Sequence, residues 1–291
     1  MRFPCDLVVV MNLKSLPPPP SLDCLLSFDF DDTLFDPLYP GHFPSDFFER
    51  IAQWRDQYGL LWGINTGRDY DYLETGFIEQ VKASFAPDFV ITMERYIHLA
   101  DEHFHLRSLS SWNDQCLLAH EELFLHHKFA LEQLMMTLGE ACPGVNWWRQ
   151  AADPYSIEVN HPEELEILWE IIEPWILNYP CLSTQRAGPY LRFCHAGYNK
   201  GTALEEVIRL FGISPQATFI AGDGHNDMDA MAKIHGALCA CPANAAESLK
   251  KLVKVNKGYI SPCPRVRGME DILKNALTPW LESLKSSKRM N

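Results

Sequence analysis

The chain has 291 residues, of which 47% are hydrophobic and 22% are charged, a composition typical of a soluble globular protein with a substantial core. Its formal net charge of -13 argues against nucleic acid or a membrane surface as a partner, and we expect neither. A small anionic substrate remains compatible with this charge, because a bound metal ion can reverse the local potential.

The cysteines and the N-terminus indicate where the protein works. Nine cysteines, an odd number with no C-x-x-C pair, favour reduced thiols in a cytoplasmic protein. The apolar run Leu7 to Met11 is too short for a secretory signal, and no run approaches the roughly 18 residues of a membrane span. Residues 1–22, which include the proline run Pro17 to Pro20, are expected to form a leader outside the core.

The first strong signal in chain order is the segment from Cys24 to Phe35. Its apolar run, Leu25 to Phe28, is typical of a buried parallel strand, and Asp29 and Asp31 follow directly. Acids at the carboxyl end of such a strand lie where open α/β sheets bind ligands. Taken alone, such a pair is more often a helix N-cap or a solvated acidic turn, and it is the later segments that favour a ligand site.

A second strand and turn follow. Ser45 and Asp46 offer capping groups for a helix that runs to about Gln57. Leu60 to Asn65 then predicts a strand that ends in Thr66-Gly67-Arg68. A hydroxyl and free backbone N–H groups in such a turn can bind phosphate, although an isolated Thr-Gly pair is usually only a turn.

Residues 71–195 have a different character and predict an α+β module inserted into an α/β protein. The expected elements are a hairpin of Phe89 to Leu99 and His103 to Leu106, a helix from a capping Asn113 to Leu138, strands at Val145 to Arg149 and Tyr155 to Asn160, a helix from Pro162 to Trp175, and a hairpin of Cys181 to Arg186 and Tyr190 to Cys194.

The α/β pattern resumes near residue 196 and continues to the end of the chain. A helix is expected from Asn199 to Phe211, and Ala217 to Ala221 predicts a strand that ends in Gly222-Asp223-Gly224-His225-Asn226-Asp227. A last amphipathic helix is predicted from Met269 to Lys285. We therefore predict an α/β fold, a doubly wound, Rossmann-like parallel sheet built from residues 23–70 and 196–291, with residues 71–195 inserted.

These segments place compatible side chains at strand ends that converge in a doubly wound sheet. The group consists of Asp29, Asp31, Thr66, Lys200, Asp223 and Asp227. Carboxylates together with one lysine and one hydroxyl make an oxygen-rich site that suits Mg²⁺ better than zinc or copper. Such a site can polarise and orient a phosphoryl group.

Four segments resemble the motifs of the haloacid dehalogenase (HAD) superfamily of phosphatases. In chain order they read F-D-F-D-D-T-L, I-N-T-G-R, N-K-G-T-A-L and A-G-D-G-H-N-D-M. Their spacing is similar to that of the branch with a large C2-type cap between the second and third motifs, and closest to its Cof-like and sucrose-phosphatase-like group. The resemblance covers residues 22–68 and 196–286, and only the position and general character of the cap.

The resemblance implies a role for each matching residue. Asp29 would be the nucleophile that becomes an aspartyl phosphate, and Asp31 would be the general acid and base. Mg²⁺ would be held by Asp29, the backbone carbonyl of Asp31 and Asp223. Thr66, the Gly67 amide, Lys200 and Asn226 would bind the phosphoryl group, and Asp227 would act from behind the metal ligands. For Asp227 and Lys200 the alternatives are a helix-dipole acid and a solvated surface lysine.

Two departures from the family pattern limit what can be carried over. Asp32 stands where many relatives carry glycine; it either faces the site, where its charge would act on Asp31, or faces solvent, which we expect. Met93-Glu94-Arg95 replaces the Asn-Gly turn with which Cof-like caps usually begin. Substrate contacts of that group therefore cannot be assumed for this chain.

The predicted cap contains several side chains that could contact a substrate. Four arginines could bind an anionic group or could be surface charges: Arg95, Arg149, Arg186 and Arg192. Trp147 and Trp148 could stack on a sugar ring or belong to the hydrophobic core. Six histidines lack metal-ligand spacing: His98, His103, His105, His120, His126 and His127.

The sequence thus predicts a Mg²⁺-dependent hydrolase of phosphoric monoesters that acts on a small phosphorylated metabolite and is a monomer or a weak homodimer. The resemblance favours a sugar phosphate as the substrate. Two alternatives remain open. A phosphotransferase or phosphomutase would use the same residues but exclude water from the intermediate. A non-catalytic phosphate-binding regulatory module is disfavoured by the complete set of motif residues.

Overall fold

The computed structural model describes residues 13–39, 41–148 and 154–290, apart from the side chains of residues 148, 162 and 288–290. These residues form two compact units. The first unit extends up to Ser110 and resumes at Lys200, and the second unit is Ser111–Asn199. None of the described helices combines the length and apolar character needed to cross a membrane.

Strands and short helices alternate in the first part of the first unit. Its elements are β1 (Cys24–Phe28), α1 (Phe47–Tyr58), β2 (Leu60–Asn65), α2 (Tyr70–Glu74) with a π-helical continuation (Thr75–Gln80), β3 (Phe89–Thr92), β4 (Tyr96–Ala100) and β5 (Leu106–Ser108).

The second unit combines two long helices with short strands. Its elements are α3 (Ser110–Ala141, whose first residue belongs to the first unit), β6 (Asn146–Trp148), β7 (Ser156–Glu158), α4 (Pro162–Ile176), β8 (Leu182–Ala187) and β9 (Tyr190–His195).

The first unit then continues with alternating helices and strands. Its remaining elements are α5 (Lys200–Phe211), a 3₁₀ turn (Pro215–Ala217), β10 (Thr218–Ala221), α6 (Asp227–Lys233), β11 (Leu238–Cys241), α7 (Glu247–Val255), β12 (Tyr259–Ile260), α8 (Arg265–Ile272), a π-helical turn (Leu273–Leu277) and α9 (Thr278–Met290).

An eight-stranded sheet organises the first unit, in the order β12-β11-β10-β1-β2-β3-β4-β5. The strands from β12 to β3 are parallel, and β4 and β5 add antiparallel pairs at one edge. β1 lies between β2 and β10, so Leu26 pairs with Trp62 on one side and with Phe219 on the other. The strands that follow β1 in the chain are added on one side of it, and β10 to β12 are added on the other side. A crevice opens at the carboxyl ends of the strands at this point, where the direction of strand addition reverses. The predicted α/β class is confirmed.

Burial explains why these segments form central strands. Every residue of β1 and β2 is buried, which matches their continuous apolar runs. Aromatic side chains pack between the sheet and α1: the ring of Phe47 lies 5.8 Å from that of Phe28 and 5.3 Å from that of Trp62. This core holds the strand ends, and therefore the site residues, in fixed positions.

The second unit has its own antiparallel sheet, in the order β6-β7-β9-β8. One hydrophobic core joins this sheet to α3 and α4 through residues such as Leu131, Leu168, Ile157 and Phe193. The unit therefore has the α+β character that the sequence predicted for the inserted module.

The predicted start of the inserted module differs from the structure. The sequence assigned residues 71–195 to it, whereas residues up to Ser110 belong to the first unit, which resumes at Lys200. The reason is that β3 is fully buried and pairs in parallel with β2, and β4 and β5 extend the same sheet. The predicted strand Phe89 to Leu99 is in fact β3 and β4, joined by a turn at Met93-Glu94-Arg95.

The predicted leader was also wrong where the structure describes it; residues 1–12 lie outside the described part of the chain. Ser15 donates its backbone N–H to Phe104 O at 2.8 Å, and Ala86 donates to Lys14 O at 2.9 Å. The buried Arg55 donates to Pro17 O at 2.6 Å and also pairs with Asp88. The segment that precedes β1 is therefore attached to the first unit by backbone hydrogen bonds.

Three predicted helix ends need correction. Asn113 does not cap α3 but is buried within it, because the helix begins three residues earlier, at Ser110. Asp46 adopts a left-handed conformation before α1 and makes no side-chain cap. The last predicted helix starts earlier, at Arg265, and includes a π-helical turn.

All eight cysteines in the described residues are free thiols.

Candidate active site

The site forms where β1 and β10 end side by side. Phe28 and Ala221 are register partners, and the N–H of Asp29, the next residue, donates to Ala221 O at 2.8 Å. Asp223 follows β10 after the single residue Gly222. Parallel pairing therefore brings the acids of two motifs, far apart in sequence, to one edge of the sheet.

Three carboxylates gather at this edge. Single oxygens of Asp29, Asp223 and Asp227 all lie within 4.8 Å of one another. Lys200, the first residue of α5, is completely buried among them, and its Nζ lies 2.7 Å from Asp29 Oδ1 and 2.7 Å from Asp227 Oδ1. The surface-lysine alternative for Lys200 is therefore wrong.

Burial and the charges of neighbouring groups shift the pKa values of these residues. Burial raises the pKa of Asp29 to about 7, against the opposing effect of Lys200, and the charge of Asp227 adds to the rise. Burial, followed by the charges of Asp29 and Asp227, raises the pKa of Asp223 well above its usual range. Burial alone would lower the pKa of Lys200, but Asp227, Asp29 and Glu94 outweigh it and raise the pKa.

Asp227 also shapes the loop that carries Asp223. Its Oδ2 accepts the backbone N–H of Asp223 at 3.0 Å and that of Gly224 at 2.9 Å. A Cβ on Gly222 would approach Asp227 Cγ to 2.3 Å, so only glycine allows this close approach. Asp227 thus binds both Lys200 and the backbone of this loop. Its role is therefore not limited to an interaction with the helix dipole.

The donor set fits a hard divalent cation. Thr33 Oγ1 donates to Asp223 Oδ1 at 3.2 Å, and Asn244 Nδ2 donates to Asp223 Oδ2 at 3.1 Å. These two contacts orient the carboxylate without adding positive charge, and Lys200 is ion-paired with the other two acids, Asp29 and Asp227. Oxygen ligands with uncompensated negative charge are what Mg²⁺ requires, so the residues present are suitable for it.

The predicted phosphate-binding turn lies at the end of the neighbouring strand β2. Thr66 Oγ1 accepts the N–H of Arg68 at 3.2 Å, which fixes the turn. Glu94 is buried above it: a Cβ on Gly67 would lie 3.2 Å from Glu94 Oε1, and Asn226 Nδ2 donates to the same oxygen at 2.7 Å. Glu94 therefore joins Gly67 and Asn226, two residues predicted to bind phosphate.

Asp31 lies beside the cluster but outside the group of three acids. Both of its carboxylate oxygens accept hydrogen bonds from Arg68, from Nε at 2.7 Å and from Nη2 at 2.6 Å. Its side chain is about one-third exposed, so it can meet a bound substrate. The expected contribution of its backbone carbonyl to the metal site stays a prediction.

The structure gives Asp32 a third position, neither in the cluster nor free in solvent. Asp32 adopts a left-handed conformation with φ of 55°, and its Oδ1 lies 2.8 Å from Arg265 Nε. Burial raises the pKa of Asp32, while Arg265 opposes that rise. Its backbone carbonyl accepts from Asn244 Nδ2 at 3.1 Å, so Asn244 links this turn to Asp223.

Four residues of the site were not identified from the sequence: Arg68, Glu94, Asn244 and Arg265. Arg68 belongs to the second motif, and Glu94 is part of a departure from the family pattern. The sequence therefore drew attention to both positions but did not indicate what their side chains contact. Asn244 and Arg265 lie after β11 and at the start of α8, and no local pattern connects them to the acids.

The other candidates show no comparable constellation within the described residues. Arg186 pairs with Glu166 and lies over the Trp169 ring at 4.8 Å, and Arg95 is buried with its guanidinium 5.0 Å from the Tyr96 ring. The only group of three or more His, Cys, Asp or Glu side chains suited to a metal in the described part of the chain is the acid cluster above. Arg149 and the Trp148 side chain lie outside the described residues.

Comparison with known proteins agrees with this geometry. Residues 156–258, a range that includes Lys200, Asp223 and Asp227, match the family model of haloacid dehalogenase-like hydrolases. No curated protein is significantly similar in sequence.

Solved structures reproduce the fold over most of the chain. The sucrose-phosphatase from Synechocystis sp. PCC6803, in complex with sucrose and phosphate, aligns with a TM-score of 0.60 at 16% identity, covering 86% of this chain and 96% of that chain. The haloacid dehalogenase-like hydrolase protein yhjK from Bacillus subtilis gives 0.57 at 18% identity, covering 91% and 95%. The HAD subclass IIB sugar phosphatase BT4131 gives 0.55 at 19% identity, covering 86% and 98%. At these identities the likeness establishes the fold, and with the family match it confirms the predicted resemblance.

Proposed function

We propose that this chain, which matches the family model of haloacid dehalogenase-like hydrolases over residues 156–258, is a Mg²⁺-dependent phosphatase that hydrolyses the phosphate ester of a small metabolite, most simply a sugar phosphate. The observation that carries the proposal is the clustering of Asp29, Asp223 and Asp227 around a buried lysine at adjoining strand ends. Phosphoryl transfer needs positioned groups and charge stabilisation, and this cluster supplies both.

Asp29 is the nucleophile in this proposal. Its carboxylate oxygen attacks phosphorus, the bond from phosphorus to the ester oxygen breaks, and the departing alkoxide takes a proton from Asp31. Asp31 then removes a proton from water, the resulting hydroxide attacks the aspartyl phosphate, and inorganic phosphate leaves with Asp29 regenerated. The exposed flank of Asp31 supports this role, because the leaving group and then water must both reach it.

The phosphoryl oxygens are held by groups around the nucleophile. Lys200 is hydrogen-bonded to Asp29 at 2.7 Å, so its charge lies beside the reacting atoms. The Thr66 hydroxyl and the Gly67 N–H come from the turn after β2, and the Asn226 amide comes from the loop after β10. Donors from separate strands can surround a tetrahedral group, which one strand end could not do.

Asp29, Asp223 and the backbone carbonyl of Asp31 would hold Mg²⁺, with Asp227 fixing the loop behind them. When bound, the ion neutralises the acids and polarises a phosphoryl oxygen. The pKa values of Asp29 and Asp223 are raised first by burial and further by neighbouring carboxylates, and a cation bound at this position would favour their ionised forms.

Two structural neighbours support a sugar phosphate as substrate. One is a sucrose-phosphatase bound to sucrose and phosphate, and the other is a sugar phosphatase. Both align over more than 95% of their own length. We propose that the inserted unit is the part of this chain that recognises the sugar. A cytoplasmic location remains a proposal that the free thiols support.

The test is a phosphate-release screen over sugar phosphates, nucleotides and phosphoglycerates, each with and without Mg²⁺. We expect Mg²⁺-dependent release from at least one sugar phosphate and none with Asp29→Asn. Equal release by that variant would reveal a contaminating phosphatase. Transfer of phosphate to an added sugar acceptor, without release to water, would instead identify a phosphotransferase.

A further inference from the structure

The solvent-facing side of α3 carries four large apolar side chains that are more than half exposed. They are Leu118, Leu125, Phe129 and Met136, with exposed fractions of 58%, 78%, 72% and 69%. Single exposed apolar residues are normal on protein surfaces. Four exposed apolar side chains on one helix are less usual, and their spacing decides whether they lie on one face.

The spacing puts all four on one narrow line. Successive members are separated by 7, 4 and 7 residues, which at 100° per residue places them within about 40° of one another. The buried residues of α3, such as His120, Leu131, Leu134 and Leu138, lie on the opposite side of the helix. We call the four residues the apolar stripe; at 1.5 Å per residue it is about 27 Å long.

The stripe reads the same in both directions along the helix, because 7, 4 and 7 is a symmetrical series. Two copies of α3 packed antiparallel about a two-fold axis would therefore place Leu118 opposite Met136 and Leu125 opposite Phe129. Every stripe residue would face another, as a self-complementary two-fold interface requires. We propose that the apolar stripe is the contact between two copies of this chain.

The polar residues beside the stripe agree with such a pairing. On one margin, Glu122 of one copy comes opposite Gln133 of the other, and Gln115 comes opposite Glu140, which pairs each acid with an amide. On the other margin, Lys128 of both copies lies near the axis between the acids Glu121 and Glu132. Lys128 already lies 3.9 Å from Glu132 within one copy, so each lysine is set among acids of both helices.

A surface of this size supports a weak dimer. Stable interfaces bury about 800 Å² per partner, and one helix face with four large side chains offers less. Antiparallel helices with an apolar seam pack at a shallow crossing angle, so the full stripe can still be covered. We expect a dissociation constant of roughly tens to hundreds of micromolar.

The first experiment measures self-association of the full chain by sedimentation equilibrium from about 5 to 500 μM. The wild type is expected to shift from monomer to dimer across this range. Leu125→Asp with Phe129→Asp should weaken dimerisation at least tenfold, and the milder Leu125→Ala with Phe129→Ala should weaken it less. Val255→Asp, at an apolar residue of α7 that is 77% exposed, is the matched control and should dimerise normally.

The second experiment tests the antiparallel register. Leu118→Cys and Met136→Cys are prepared separately, mixed and oxidised mildly, with the wild type as the background for its native thiols. The mixture should give a cross-linked heterodimer well above either variant alone, because two copies of position 118 would lie about 27 Å apart. A wild type that stays monomeric at 500 μM, a dimer indifferent to the double Asp variant, or cross-linking no greater in the mixture would overturn the proposal.

Discussion

The guanidinium group of Arg68 binds both carboxylate oxygens of Asp31, with Nε 2.7 Å from Oδ2 and Nη2 2.6 Å from Oδ1. Arg68 is itself held by the rings of Phe30 and Phe35, 5.0 and 5.3 Å from its Cζ, and by a hydrogen bond to Tyr72 O at 3.0 Å. A two-pronged pair of this kind fixes direction as well as distance. Arg68 therefore determines where the proposed general acid points.

Replacement of Arg68 should impair the proton-transfer role of Asp31. We expect Arg68→Ala to lower kcat by about 10- to 100-fold on alkyl phosphates, because misdirecting Asp31 should remove only part of the roughly 10²- to 10⁴-fold that general acid catalysis usually contributes. The loss should be much smaller on p-nitrophenyl phosphate, whose leaving group needs no proton. Arg209→Ala, which removes an exposed arginine that pairs with Glu206, is the control. Equal losses on both substrates would contradict a positioning role.

Loss of the Asn244 amide should weaken metal binding. Asn244 connects Asp223 Oδ2 to the backbone of Asp32, and groups that orient a ligand typically affect metal affinity by 10- to 100-fold. We expect calorimetric titration with Mg²⁺ to show about tenfold weaker binding by Asn244→Ala. Asn178→Ala removes an exposed asparagine of the second unit and should bind Mg²⁺ normally. Unchanged affinity in Asn244→Ala would remove this role.

Neutralising Glu94 should tighten the binding of phosphate. Its buried carboxylate contacts Asn226 and contributes to the raised pKa of Lys200, so it places negative charge beside two proposed phosphate ligands. Glu94→Gln keeps the acceptor oxygen for Asn226 but removes the charge, and the inhibition constant of inorganic phosphate should fall about tenfold. Glu163→Gln, in the first turn of α4, serves as the control. A constant that rises would show that Glu94 helps to hold the phosphate site instead.

Without Mg²⁺, ionisation of Asp29 should destabilise the fold. Its pKa is raised from 3.8 to about 7, so the folded state binds the proton more tightly than the unfolded state does. The contribution of Asp29 is therefore present at low pH and is lost as pH rises from about 4 to 7, by no more than about 1.4 kcal/mol per pH unit.

The measurement is urea unfolding of the wild type and of Asp29→Asn at several pH values. The free energy of unfolding of the wild type minus that of the variant should decline across this window. Saturating Mg²⁺ should flatten the decline, because the ion binds the ionised carboxylate. A difference that increases with pH in the absence of metal would contradict the inferred direction of the shift.

Local patterns in the sequence were sufficient for the elements that carry the chemistry. The apolar runs before Asp29 and Asp223 predicted β1 and β10, and both strands are observed within one residue of the predicted bounds. Lys200 and Asp227 were predicted to join these acids, and the structure places them at hydrogen-bonding distance. A continuous apolar run predicts such a strand well, because a strand that is buried on both faces of a sheet needs apolar residues at nearly every position.

The prediction failed where an element depends on a neighbour that is distant in sequence. Phe89 to Leu106 was assigned to the inserted module because its strands are antiparallel, but β3 completes the parallel sheet beside β2 and β4 and β5 follow it. Residues 13–22 look like a polar, proline-rich linker, yet buried Arg55 binds their carbonyls. No local property of either segment reveals the partner.

The sequence by itself predicted the class of fold, a family resemblance and the identity of the acids and the lysine, because each depends on side-chain types at short, fixed spacings. Only the tertiary structure decided which groups orient those residues: Arg68 on Asp31, Asn244 on Asp223 and Glu94 on Asn226. The physical reason is that a carboxylate or an amide accepts many partners equally well. The partner it finds is selected by how the sheet and its loops pack in space.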